Sequence, residues 1–143
     1  MRNIKYLFAF FCIILPLSLT PASASEKETV MILELSTGVV KIRLRDDLAP
    51  KHVERIKQLA EQKFYDNIIF HRVIDGFMAQ TGDVKFGNSE STSFDLRKAG
   101  MGGSELPDLV QEFNSLPHDR GTLSMARSSD PNSANSQFFI CFK

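Results

Sequence analysis

The chain has 143 residues, with 17 basic and 17 acidic side chains and a formal charge of zero. That balance excludes the strongly basic surface of a nucleic-acid binder, and the length suits one domain with one core. Two cysteines are too few for a disulfide framework.

Met1 to Ala24 differs in character from the rest of the chain. Arg2 and Lys5 form a positive start, Tyr6 to Leu19 is apolar apart from Ser18, and Pro21-Ala22-Ser23-Ala24 ends in small residues at alternate positions. This is the pattern of a signal peptide over residues 1–24, cleaved after Ala24. Cys12 lies inside the apolar core, so nothing there points to a lipoprotein. The apolar run is shorter than the ~20 residues that span a bilayer, so no stable membrane span is expected after removal, and a retained anchor is the alternative. The mature part, Ser25 to Lys143, would keep 15 basic and 17 acidic residues and Cys141 as its one cysteine. Cys141 ends an apolar run and reads as a small buried hydrophobe.

Val30 to Leu35 and Val39 to Arg45 are strand-like runs joined across Thr37-Gly38. In the second, Lys41, Arg43 and Arg45 alternate with Val40, Ile42 and Leu44, which predicts a hairpin with one buried face. Asp47 and Pro50 mark a helix start, and Val53, Ile56, Leu59 and Ala60 recur at helical spacing to about Gln62.

Phe70 to Ile74 is short, apolar and β-branched, which predicts a strand with Phe70, Arg72 and Ile74 on one face and His71 and Val73 on the other. An arginine in such a strand is costly to bury unpaired. It reads either as a structural ion pair or edge residue, or as a functional cation. Phe77 and Met78 follow the Gly76 turn and could form an apolar pocket beside it or a second core strand, and Gln80 offers a donor and an acceptor to hold Arg72 or a ligand carbonyl. Residues 84 to about 109 form a long glycine- and serine-bearing stretch without periodicity, a length usual for functional or mobile loops. Thr122 to Ala126 and Phe138 to Phe142 read as two more strands.

Phe70-His71-Arg72-Val73-Ile74-Asp75-Gly76-Phe77-Met78-Ala79-Gln80-Thr81-Gly82-Asp83, then Ser124-Met125-Ala126, then Ser136-Gln137-Phe138-Phe139-Ile140 stand in that order. Together they resemble the cyclophilins, peptidyl-prolyl isomerases with an F-H-R-x-I-x-G-F-M-x-Q-x-G-D segment followed by S-M-A and S-Q-F-F-I segments. The resemblance runs from about Val30 to Lys143. Met125-Ala126-Arg127 with Asp130-Pro131-Asn132-Ser133-Ala134 looks like the bacterial branch, and the signal peptide makes it an exported one.

The resemblance implies a mainly β fold, a cyclophilin-like antiparallel β-barrel with a capping helix, and catalysis of Xaa-Pro rotation in exported proteins without metal or cofactor. Arg72 would be the catalytic group and Gln80 would bridge it to the substrate backbone. Phe77, Met78 and Phe139 would hold the proline ring, and Gln137 would shape the same face. The backbone at Ala126 and Arg127 would pair with the residue before proline, Gly102-Gly103 would shape the groove, and Glu112-Phe113 would form a short strand. Its partners would be proline-containing polypeptides and cyclosporin-like ligands, with no nucleic acid. The best-known eukaryotic members have asparagine where Arg127 stands, so the rim of the groove gains a charge here.

Other chemistries have less in their favour. His52, His71 and His118 lack metal-ligand spacing and read as structural or solvent-exposed. Ser124, His71 and Asp83 could form a triad on paper, but no nucleophile-elbow glycines flank Ser124. Cyclophilins continue past the Phe138–Phe142 run with a loop, more strands and a second helix. The expectation is therefore an incomplete barrel, with a non-catalytic proline-peptide module or an inactive remnant as the alternative function. The expected compartment is the periplasm, or the exterior by secretion.

Overall fold

The computed structural model describes residues 28–143, so the signal peptide and its cleavage site lie outside the described residues. Strand β1 (Thr29–Leu35) and strand β2 (Gly38–Leu44) pair antiparallel, with Thr29 opposite Leu44 and Leu35 opposite Gly38. The two-residue loop is Ser36-Thr37, one position earlier than expected, because Gly38 opens β2 at φ +146°, a value that suits glycine. The buried face is realised only at one end. Leu44 is 7% exposed, whereas Val40, on the same face but near the turn, is 39% exposed.

Helix α1 (Pro50–Glu61) has proline in its first turn, where the missing N–H costs nothing. Asp47 marks its approach but does not cap it, because Arg45 holds that carboxylate through Nε at 2.7 Å and Nη2 at 2.6 Å. The cap comes from far along the chain. The Glu112 carboxylate accepts the N–H groups of Lys51 at 3.1 Å and His52 at 3.0 Å, satisfying orphan donors at the positive end of the helix. Of the stripe expected from spacing, Val53, Ile56 and Leu59 are buried and Ala60 is exposed, and the buried face is joined by Arg55, whose guanidinium donates to the carbonyls of Asn135 and Pro107.

The second sheet contains β3 (Arg72–Ile74), β4 (Met78–Thr81), β5 (Leu123–Met125) and β6 (Phe138–Cys141) in the order β3-β4-β6-β5, antiparallel throughout. The predicted Phe70–Ile74 strand pairs only from Arg72. Glu112-Phe113 forms no strand, since Glu112 is turned to the helix, and the nearest pairing is an isolated bridge between Leu109 and Ala134. No ladder joins the two sheets among the described residues, so the expected barrel is not closed.

The core sits between the two sheets and beneath the helix. Leu44, Val53, Ile56 and Phe138 form it, with Met31, Ile42, Tyr65, Leu123 and Met125 packed around. Each such burial contributes roughly 1.5–3 kcal/mol. Tyr65 meets Phe138 edge-on at 5.7 Å, and its hydroxyl donates to the Ser136 carbonyl at 2.8 Å. Cys141 is buried, and burial raises its thiol pKa, which suits a packing role.

Candidate active site

Gly76, at φ +65°, lets the chain reverse between β3 and β4 and brings Arg72 opposite Gln80. Strand β6 then enters beside β4 with Phe139 opposite Gln80, and β5 lies beyond it with Ser124 opposite Phe139. Directly paired residues point to the same side of a sheet. Arg72, Gln80, Phe139 and Ser124 therefore form one row across four strands, although they span fifty residues of sequence and more.

The row is held by a chain of side-chain amides. Arg72 Nη1 donates to Gln80 Oε1 at 3.2 Å, and Gln80 Nε2 donates to Gln137 Oε1 at 2.9 Å. Gln137 Nε2 donates in turn to the carbonyls of Gly100 at 3.0 Å and Gly102 at 2.7 Å. This relay fixes which way the Gln80 amide faces, so its oxygen is presented to Arg72. Both ends of Gln80 are thus engaged within the protein, which makes it first a holder of Arg72.

Apolar groups stand beside the cation. Phe77 is 53% exposed and Met78 only 1%, so Phe77 forms the open wall and Met78 the floor. His118 meets Phe139 edge-on at 5.7 Å; sequence reasoning gave it no role, because nothing in its local pattern announces this contact. Arg72, Phe77, Met78, Gln80, Ala126, Arg127 and Phe139 all line one cleft of about 1030 Å³. Gln137, Gly102 and Gly103 do not line it and act from behind. The Ala126 N–H is spent on the Gln137 carbonyl at 2.9 Å, whereas the Arg127 N–H has no partner among the described residues.

Behind the row lies a residue whose weight the sequence understated. Asp83 is wholly buried, and its carboxylate accepts four backbone N–H groups, those of Lys85, Phe86, Gly100 and Gly102, at 2.7 to 3.1 Å. Such charge-assisted bonds are the stronger kind. They tie both ends of the 84–102 loop to one point, so the long aperiodic stretch is pinned. The signal for this was an acid among Gly82, Gly87, Gly100 and Gly102. A Cβ on Gly102 would stand 2.7 Å from Asp83 Oδ1 and 2.8 Å from atoms of Lys85 and Phe86. Gly102 is therefore required by the Asp83 cradle, and a Cβ on Gly103 would stand 3.0 Å from Asn135 Oδ1.

His71 fills the space over Gly100. Among the described residues neither ring nitrogen has a partner within hydrogen-bonding geometry, although Gln137 lies close enough to act on the ring. Burial holds its pKa below the ordinary value, with the Asp83 charge acting the other way. Neutral His71 is thus a packing element under Arg72, and it makes no hydrogen bond to Ser124 from which a nucleophilic relay could be built.

Residues 30–143 match the family model for "Cyclophilin type peptidyl-prolyl cis-trans isomerase/CLD". A probable peptidyl-prolyl cis-trans isomerase of Brucella suis is 58% identical over 121 residues, covering 85% of this chain and 61% of that protein. Peptidyl-prolyl cis-trans isomerase B of Escherichia coli is 38% identical over 103 residues, covering 72% of this chain and 56% of that protein. The chain thus spans about three fifths of the length of these relatives. Among solved structures, a Cryptosporidium parvum cyclophilin-type isomerase crystallised in the presence of the dipeptide Ala-Pro superposes with a TM-score of 0.66. It is 31% identical, with 80% of this chain and 68% of that one covered. These likenesses bear out the mainly β cyclophilin fold.

Proposed function

The chain belongs to the cyclophilin-type peptidyl-prolyl cis-trans isomerase family, and on that premise we propose that it accelerates rotation about Xaa-Pro bonds. Arg72 is its catalytic residue, and proline-containing polypeptides are its substrates. The observation that carries this reading is the row itself, a permanently charged donor held by Gln80 at 3.2 Å beside the apolar pair Phe77 and Phe139.

The chemistry rests on the peptide bond. Rotation is resisted by ~18–20 kcal/mol because the nitrogen lone pair is delocalised into the carbonyl. An Xaa-Pro bond has cis and trans forms close in energy, so lowering that barrier speeds a real equilibrium. In the twisted transition state the lone pair returns to the prolyl nitrogen, which becomes a hydrogen-bond acceptor. A cation aimed there stabilises the transition state more than the planar ground state. Arg72 suits this task because it stays charged at any working pH. The amide relay through Gln80 and Gln137 fixes the cation in advance, so little reorganisation is needed at the moment of rotation.

Cyclic peptides of the cyclosporin type would compete for the same apolar groove. The substrates would be exported proteins, and this part of the reading is supported by the composition of residues 1–24 with its small-residue end at Ala24. A second reading, a proline-peptide binder without turnover, is favoured by Gln80, whose amide is engaged by Arg72 and Gln137 and is not left for a substrate backbone.

Exchange NMR on an Ala-Pro peptide separates the two. Turnover should bring cis and trans peaks into exchange well above the uncatalysed rate of tens of seconds. Arg72→Ala should lower kcat/KM on the order of 100-fold with a much smaller change in peptide affinity. Equal turnover by the two proteins would remove Arg72 from the mechanism, and shift changes in the protein without peptide exchange would favour the binder.

A further inference from the structure

Charge is unevenly placed in this neutral chain. Among the described residues the cleft is lined by Lys41, Arg43, Arg45, Arg72 and Arg127, with Glu112 as its one carboxylate. Glu112 is already spent on the Lys51 and His52 N–H groups at the start of α1. Arg43 and Arg45 are paired with Glu28 and Asp47. Lys41, Arg72 and Arg127 have no acidic partner among the described residues.

Arg127 is the most organised of these three. Its guanidinium carbon lies 5.7 Å from the centroid of the Phe113 ring, a cation–π geometry. Nη1 donates to the Ser128 carbonyl at 2.8 Å and reaches that of Ser129 at 3.5 Å. The side chain is therefore held on a ring face and at one corner, while Nε and Nη2 have no partner among the described residues. Those two donors form the edge of the fork that matches a carboxylate bidentately. The backbone N–H of the same residue also has no partner among the described residues, so an extended peptide pairing there would carry its neighbouring side chains past the guanidinium.

We propose that Arg127, seated on Phe113, is a specificity-determining residue that selects Xaa-Pro segments with a glutamate or aspartate within two residues before the proline. The proposal rests on the isomerase reading of this groove, with the difference that it concerns which peptide is taken and not whether one is turned over. Holding Arg127 in place beforehand lowers the ordering cost of binding. Because the rim is open to water, the gain is that of an exposed pair, about threefold to fivefold in kcat/KM, and it weakens with salt.

The test compares peptides that differ only in Glu against Gln at the two positions before proline, with an Ala-Ala-Pro reference, at low and at high salt. The expected result is a Glu-to-Gln ratio of about 3 or more at low salt, carried by KM, shrinking towards 1 at high salt. Arg127→Gln should bring the ratio to about 1, and Arg127→Glu should turn the preference towards a Lys peptide. A ratio near 1 in the unaltered protein, or one that persists in Arg127→Gln, overturns the proposal while leaving isomerisation of the reference peptide intact. If no peptide is turned over, the isomerase reading fails by itself. The Glu-to-Gln ratio of dissociation constants from shift titration then decides the selectivity by the same criteria.

Discussion

The β1–β2 hairpin and the β3–β6 sheet with its 84–109 loop are stabilised in opposite ways. The hairpin is long, regular and local, with seven paired positions joined by a two-residue turn, yet it exposes Val30, Ile32, Val39 and Val40. The second sheet has strands of three or four residues and non-sequential order, but its loop is bound to buried polar groups. Asp83 and Ser136 are both wholly buried, and Ser136 Oγ donates to the Gly82 carbonyl at 2.7 Å. Short strands give little ladder energy, so the site depends on a satisfied polar interior, which tolerates no missing partner. The hairpin has no such interior and should tolerate change.

Substitutions can break that contrast, and Asp83→Ala should have the largest effect. It strands four backbone N–H groups in a buried place and should cost about 3 kcal/mol or more. Hydrogen exchange should show loss of protection in the 84–102 loop before the hairpin, and unchanged protection would remove Asp83 from this role. Asp83→Asn should recover part of the loss, since one carbonyl oxygen remains. Gly102→Ala should come next, at roughly 1–3 kcal/mol, because the added methyl meets Asp83, Lys85 and Phe86 at once. Thermal melts would check it, and a neutral result would mean that the cradle yields easily.

A smaller effect should appear with pH. His71 has its folded pKa below the ordinary 6.5 through burial, so the unfolded chain binds a proton that the folded chain refuses. This contribution to stability is present above about pH 6.5 and is lost as the pH falls below it. Melting temperature should drop on acidification, and the drop should be shallower in His71→Gln. Parallel pH profiles for the two proteins would assign the drop to other groups. Smallest of all should be Val39→Thr at the exposed end of the hairpin, within ~0.5 kcal/mol. A loss several times larger would show that the hairpin's outer face is packed in solution.

The elements that the sequence announced are those whose causes are local. Alternation from Val30 to Leu44, the Pro50 helix start, the Gly76 reversal and the 3.6-residue stripe of Val53, Ile56 and Leu59 all depend on near neighbours. The motif residues Arg72, Phe77, Gln80 and Phe139 were legible as a set because their types and order are distinctive. What stayed hidden depends on contacts across tens of residues. Asp47 stood at the expected helix start, but Arg45 took its carboxylate and Glu112, 60 and 61 residues from its partners, supplied the cap. Gly102 and Gly103 were expected at the groove, whereas the packing around Asp83 and Asn135 sets them behind it.

By itself the sequence determined where strands and helix begin, which residues make up the motif, and which family they resemble, because propensity, turn chemistry and side-chain type are properties of neighbouring residues. Only the tertiary structure decided that β6 enters between β4 and β5 and lines up Arg72, Gln80 and Phe139. It also decided that a buried carboxylate orders the loop behind them, and that Arg127 rests on Phe113 with its fork open. Strand order and the pairing of buried charges are set by the joint desolvation of groups far apart in the chain, and no local pattern records that cost.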